Sequence, residues 1–191
     1  MTVTQPLETL RYATAPELFA ALPEMTEDME ARPHRDEPIL PFAWRLLDTP
    51  TPEEAITCAA QMFVRRVSIW WGHECLRHLA ERLDPIDLDM MQRVADWVAQ
   101  PDEALRAGML DHAMACEVRG PGVWLAIGAG WAGASLTPPD SAPVRPPRFL
   151  AGRGVNAAIL TALARVPQTR RKATLHDFLS MAQDLAAPDL D

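Results

Sequence analysis

The sequence predicts an all-α fold, and three observations predict it. Apolar residues recur at three- and four-residue spacing through almost every part of the 191-residue chain. Glycine and proline punctuate those segments. No stretch alternates apolar and polar residues for long enough to make a convincing strand. A single domain of about eight helices is expected, packed as antiparallel helical hairpins. It divides into a short N-terminal helix (1–22), a flexible acidic Pro-rich linker with a docking segment (23–50), and a helical domain (51–187).

Thr14-Ala-Pro-Glu17 opens the first helix, with Thr14 as N-cap and Pro16 in the first turn, ending near Ala21. Residues 23–41 carry Pro23, Pro33, Pro38 and Pro41 among acids, which predicts a mobile or surface-draped segment. The following "ILPFAWRLL" is apolar, and Phe42, Trp44 and Leu47 are its expected docking residues. Thr51-Pro52-Glu53-Glu54 reads as a capping box. Behind it, Ile56, Ala59, Ala60, Phe63 and Val67 form a helical stripe, continued by Ile69, Leu76, Leu79 and Leu83 after a break near Arg65-Arg66. Met91, Val94, Ala95 and Val98 mark the next helix, stopped by Pro101. Leu105, Met109, Ala113 and Cys116 mark another, ended by Gly120-Pro-Gly122. A helix at about 122–133 follows, then the extended, proline-rich "TPPDSAPVRPPR". Val155, Ala158, Ile159, Ala162, Leu163 and Val166 define a long helix. Thr174-x-x-Asp177 reads as the cap of the last, with Leu175, Phe178, Leu179, Ala182 and Leu185 inward.

Charge narrows the function. The net charge is -8, from 26 acidic and 18 basic residues. That balance disfavours nucleic acid, which needs a basic face. Residues 1–60 hold 11 acids and 4 bases, and no acid lies between Arg145 and Lys172. Opposed surfaces, or a charged partner, are implied. Three cysteines, Cys58, Cys75 and Cys116, are too few for a disulfide framework and fit a reducing compartment. No signal-peptide pattern opens the chain, and the uncharged run from Gly120 to Thr137 contains Pro121 and several glycines. A cytoplasmic location without membrane insertion is expected.

Two motifs suggest chemistry and fail on context. Gly128-x-Gly130-x-x-Gly133 spells a dinucleotide fingerprint. That fingerprint needs a strand before it, a helix after it, and an acid about twenty residues on. Here Pro138-Pro139 follow within a few residues, and "RFLAGRG" stands where the acid belongs. Small residues four apart, Ala126, Gly130 and Ala134, and likewise Gly128 and Ala132, instead predict a groove for close helix packing. The second motif is "WWGHECLRHLAERL", with His73, Glu74, Cys75, His78 and Glu81. His73 and His78 are five apart, about 140° around a helix, so they diverge. A metal enzyme using His73, Cys75, His78 and His112 is therefore the weakest reading. No cofactor, metal site or catalytic set is expected. His112, on an apolar stripe, reads as a hydrogen-bonded core residue. The four serines include no nucleophile elbow, and the single lysine, Lys172, lies in no phosphate-binding loop.

What remains is surface. Six tryptophans against one tyrosine are unusual, and the adjacent Trp70 and Trp71 point about 100° apart. One of that pair is expected at a seam or groove. Arg145, Arg148, Arg170, Arg171 and Lys172 form a candidate basic patch, for an acidic partner or for the chain's own acidic linker. Trp70, Trp71 and these five cations are the expected partner-binding residues.

"TPEEAITCAAQMFVRRVSIWWGHECLRH" and "GVWLAIGAGWAGASLTPPDSAPVRPPRFLAGRGVNAAILTAL" together resemble an uncharacterised bacterial family of small helical proteins. The features in common are a Trp-Trp pair after a basic turn and a small-residue helix running into a Ser-Leu and proline-rich segment. Ala134 stands where that pattern has glycine. The resemblance covers about residues 50–187 and implies no residue roles. Some members lie beside type VI secretion genes, which implies an accessory role. The expectation is a non-enzymatic protein-interaction module, a chaperone or adaptor for a secretion component or effector. An immunity protein that masks a toxin's basic active site is the alternative.

Overall fold

The computed structural model describes residues 9–137 and 141–187. The first helix, α1 (Ala15–Ala21), starts on the expected capping box. Thr14 Oγ1 accepts from the Glu17 N–H at 3.4 Å, and the Glu17 carboxylate accepts from the Ala13 and Thr14 N–H groups at 2.9 and 3.2 Å. Two helices then appear inside the expected linker: α2 (Met25–Asp28) and α3 (Ile39–Leu46). They raise the number from about eight to ten among the described residues. Met25 and Met29 are buried, and Ile39, Phe42, Ala43 and Leu46 are buried at helical spacing. Trp44 is only half-buried.

α4 (Glu54–Met62) and α5 (Arg65–His78) are separate helices with an extended break at Phe63–Val64. The N-terminal segment fills that break. Leu10 bridges to Phe63, the Arg11 N–H donates to the Met62 carbonyl at 2.8 Å, and the Val64 N–H donates to the Thr9 carbonyl at 2.9 Å. The capping box at Thr51 does not form. Glu54 is buried, and its carboxylate accepts the Glu30 and Ala31 N–H groups at 2.6 and 3.0 Å. It ties the acidic segment to the body instead of capping its own helix.

After a 3-10 turn at Ala80–Arg82 come α6 (Pro85–Ala99), α7 (Glu103–Ala115), α8 (Pro121–Gly130), α9 (Leu150–Leu163) and α10 (Gln168–Ala186). α8 is central and touches α5, α6, α7 and α9. Nine of its ten residues are buried. The close approach expected of its small residues is real. A Cβ on Gly154 of α9 would stand 2.4 Å from the Gly128 Cα. The two backbones meet where neither carries a side chain.

Side chains of opposite charge from other helices close the two ends of α8. Asp87 in the first turn of α6 is wholly buried, and its Oδ1 accepts the Gly122 N–H at 2.9 Å. At the other end Arg106 of α7 is buried, and its guanidinium donates to the carbonyls of Gly130 and Ser135. A negative group thus sits at the positive end of the helix dipole and a positive group at the negative end. Arg106 takes the inward place that the sequence assigns to Leu105, which is 53% exposed.

α10 also departs from expectation. It begins at Gln168, six residues before Thr174, and Thr174 Oγ1 donates back to the Arg170 carbonyl at 3.1 Å. Pro167 marks the start, and the first two turns carry no apolar periodicity. The proline-rich loop doubles back, with the Leu136 N–H donating to the Val144 carbonyl at 2.8 Å. Pro138–Asp140 of that stretch lie outside the described residues.

Candidate functional site

The dinucleotide-like glycines lie at the C-terminal end of α8. A Cβ at Gly128, Gly130 or Gly133 would meet, respectively, Gly154, Leu110 and the Arg106 guanidinium. A pyrophosphate needs the N-terminal end of a helix, so this geometry offers it nothing.

The His/Cys segment does not converge either. His73 Nδ1 lies 3.0 Å from Glu74 Oε1, and its ring stacks on Trp70 with centroids 5.0 Å apart. His78 points to Asp177 at 3.5 Å. Cys75 is buried in the core, and that burial pushes its thiol well above the usual range. Burial also pushes the Glu74 carboxyl up, but hydrogen bonds from Arg77 and His73 outweigh it and hold it low. Among the described residues no three His, Cys, Asp or Glu side chains stand close enough to hold a metal ion. His112 is exposed on α7, not a core residue, because Ala113 takes the inward position.

The tryptophan pair separates. Trp71 is 0% exposed, and its Nε1–H donates to the Phe178 carbonyl at 3.0 Å. It belongs to the core and offers no partner surface. Trp70 is half-buried beside it. Trp44 Nε1–H donates to Gln183 Oε1 at 2.8 Å, joining α3 to α10.

The basic residues do not form one patch. α9 is 14 residues, about 21 Å long at 1.5 Å per residue, and it separates them. Arg145 and Arg148 precede it, and Arg170, Arg171 and Lys172 follow it. At the far end Lys172 Nζ lies 3.3 Å from Asp48, and Arg171 turns back to the Val166 carbonyl at 3.4 Å. Arg153 grips Asp28 of the acidic segment through contacts of 2.8–3.0 Å. The basic stretch thus does hold part of the chain's own acidic linker.

At the near end Arg148 meets two arginines that sequence reasoning missed. An open cavity of about 430 Å³ is lined by Leu10, Arg11, Tyr12, Val64, Arg65 and Arg148. The pairing of residues 9–11 with the α4–α5 break brings the first five together. The Arg11 guanidinium lies 5.2 Å from the Tyr12 ring centre. The Tyr12 hydroxyl is buried with no hydrogen-bond partner among the described residues. Among the described residues Arg65 has only the Ala132 carbonyl, at 3.4 Å. Burial, then repulsion from Arg11 and Arg148, draws its guanidinium below the usual range. The available signal is the Arg65-Arg66 pair opening α5, where helix charge disfavours cations.

Two other surfaces stand out. A cleft of about 600 Å³ is lined by Glu27, Asp28, Glu30, Glu53 and Glu54, with Arg32 and several neutral residues. Near the start of α6, Ile86 and Leu88 are 40% and 42% exposed, and Val118 before α8 is 73% exposed. Asp87, between Ile86 and Leu88, lies against Gly120 and Gly122, so the start of α6 meets the segment that follows Val118. Met114, 50% exposed, lies on the last turn of α7 leading into it.

A family model described as DUF6931, a family of unknown function, matches residues 42–186, and the chain belongs to that family. This agrees with the resemblance to an uncharacterised helical family over residues 50–187. No curated protein and no solved structure matches the chain. Among the described residues no helix is long and apolar enough to cross a membrane.

Proposed function

We propose that this member of a family of unknown function is a non-enzymatic protein-binding module of the cytoplasm. In line with the resemblance read from its sequence, its role is that of an adaptor or chaperone accessory to type VI secretion. One observation carries the binding part. Ile86, Leu88, Met114 and Val118 expose apolar side chains on the segments that meet at the start of α8, where Asp87 accepts the Gly122 N–H. Exposed apolar groups are what a partner's hydrophobic anchors bury.

Affinity capture from the native host, with wild type and the double variant Ile86→Asp/Val118→Asp, tests it. Both substituted positions are exposed, so the variant should fold. A secretion component or effector held by the wild type and lost from the variant is the expected result. Equal capture by both, or capture of nothing, sinks the reading. Trp71→Ala is unsuitable, because it empties the core.

The acidic cleft favours a second reading, an immunity protein. Glu27, Glu30 and Glu53 line it without a partner among the described ion pairs, and they suit a basic toxin surface. Rescue of growth on co-expression with a neighbouring toxin gene, lost in Glu27→Lys/Glu53→Lys, separates this from the adaptor role.

A further inference from the structure

We propose that the pocket at Arg11, Arg65 and Arg148 binds a phosphoryl group, carried by a small molecule or by a modified side chain. Charge is the first ground. This chain has eight more acids than bases. Among the described residues Arg35, Arg45, Arg77, Arg82, Arg93, Arg106, Arg153, Arg165 and Lys172 each lie within 4 Å of a carboxylate. Arg11, Arg65 and Arg148 have no such partner among the described residues. Arg32, Arg66, Arg119, Arg145, Arg170 and Arg171 have none either, but the first three line one cavity, and no acid is in its described lining. Three like charges gathered without a counter-charge repel one another. A dianion between them removes that repulsion.

Helix geometry adds to it. α5 runs 14 residues from Arg65, and its N-cap Val64 supplies no side-chain acceptor. No acid stands in its first turn. The positive end of its dipole therefore adds to the guanidinium charge at the pocket mouth. Arg66 does not compete for the same ligand, since it donates to the Val98 carbonyl.

The third ground is independent of charge. Tyr12 lines this cavity, and its hydroxyl is buried with no hydrogen-bond partner among the described residues. An unpaired buried hydroxyl is unfavourable, and an oxyanion oxygen would accept from it. Three guanidinium forks and a phenol suit the three oxygens and double charge of a phosphate monoester better than the two oxygens of a carboxylate. The cavity of about 430 Å³ leaves room beyond the phosphate for what carries it, against Leu10 and Val64.

The test is calorimetric titration of the full chain with inorganic phosphate, O-phosphoserine, ribose 5-phosphate and acetate. Saturable phosphate binding is expected. It should fall about tenfold or more in Arg65→Gln and in Arg148→Gln, as loss of a charge-assisted contact implies. It should be unchanged in Arg170→Gln, which removes the same charge at the other end of α9. Arg65→Lys keeps the charge but loses the fork, and should also weaken binding. Circular dichroism checks that each variant is folded. Tighter binding of phosphoserine than of ribose 5-phosphate assigns the source to a modified side chain, and the reverse to a metabolite. Either supports the site. Absence of phosphate binding overturns the proposal, as does equal loss in Arg170→Gln or acetate binding as tightly as phosphate.

Discussion

Gly154→Ala should destabilise the protein through one atom. The added Cβ would stand 2.4 Å from the Gly128 Cα, against the 3.4 Å or more of ordinary contact. Relief needs about 1 Å of separation between α8 and α9. Both helices are buried there, and the obstacle is backbone, which cannot swing aside as a side chain can. A gap of that size forfeits a quarter to a half of each dispersion contact along the crossing. Overpacking of this kind costs about 3 kcal/mol, at the upper end of its range, and the better helix propensity of alanine returns about 1 kcal/mol. The net loss is about 2 kcal/mol, or roughly 4–8 °C in Tm for a chain of this size. Gly108→Ala is the control. Nothing lies within 4 Å of its Cβ, so only the propensity gain remains, and it should stabilise by about 0.5–1 kcal/mol. Urea unfolding followed by circular dichroism and tryptophan fluorescence measures both. If Gly154→Ala is as stable as Gly108→Ala, the helices do not cross at Gly128 and the packing argument is wrong.

Other outcomes follow from single groups. Arg106→Met should lose about 2–4 kcal/mol, because it leaves the Gly130 and Ser135 carbonyls unpaired behind a buried stem; a loss under 0.5 kcal/mol in urea unfolding would remove its role in closing α8. The Glu37 carboxyl is held low by its hydrogen bond from Arg45, against the upward push of burial. Its stabilisation is therefore present above the unfolded carboxylate value of about 4.3 and is lost as pH falls through the lower folded value. Glu37→Gln should flatten the acid limb of the Tm–pH curve in that window and leave its shape above pH 5 unchanged. Burial pushes the Cys58 and Cys75 thiols up, whereas Cys116 is half-buried. A thiol-titrating disulfide should modify one cysteine in the native protein and all three in denaturant, and fast reaction of all three would contradict the burial.

Helix positions were legible because the 3.6-residue period is a local property. The Thr14 cap, the stripe of α9 and the small residues of α8 could be read without knowing what they faced. The same reasoning failed where two faces of one helix were both plausible. Leu105 and Arg106 are adjacent, and only the carbonyls at the end of α8 decide that the charged one turns inward. Trp70 and Trp71 differ likewise by which of them reaches the Phe178 carbonyl. Thr51-Pro-Glu-Glu54 matches a capping box, yet Glu54 is drawn off by the N–H groups of residues more than twenty positions earlier.

The sequence by itself determined the helical class, most helix positions, the family and the tight glycine contact of α8, because these depend on spacing along the chain. Tertiary structure decided the rest. It split the basic stretch across the length of α9, ordered α2 and α3 against the body, and brought Arg148 to Arg11 and Arg65. Those outcomes depend on which distant groups compete for a side chain. Hydrogen bonding and charge act over a few ångströms of space, whatever the separation in sequence.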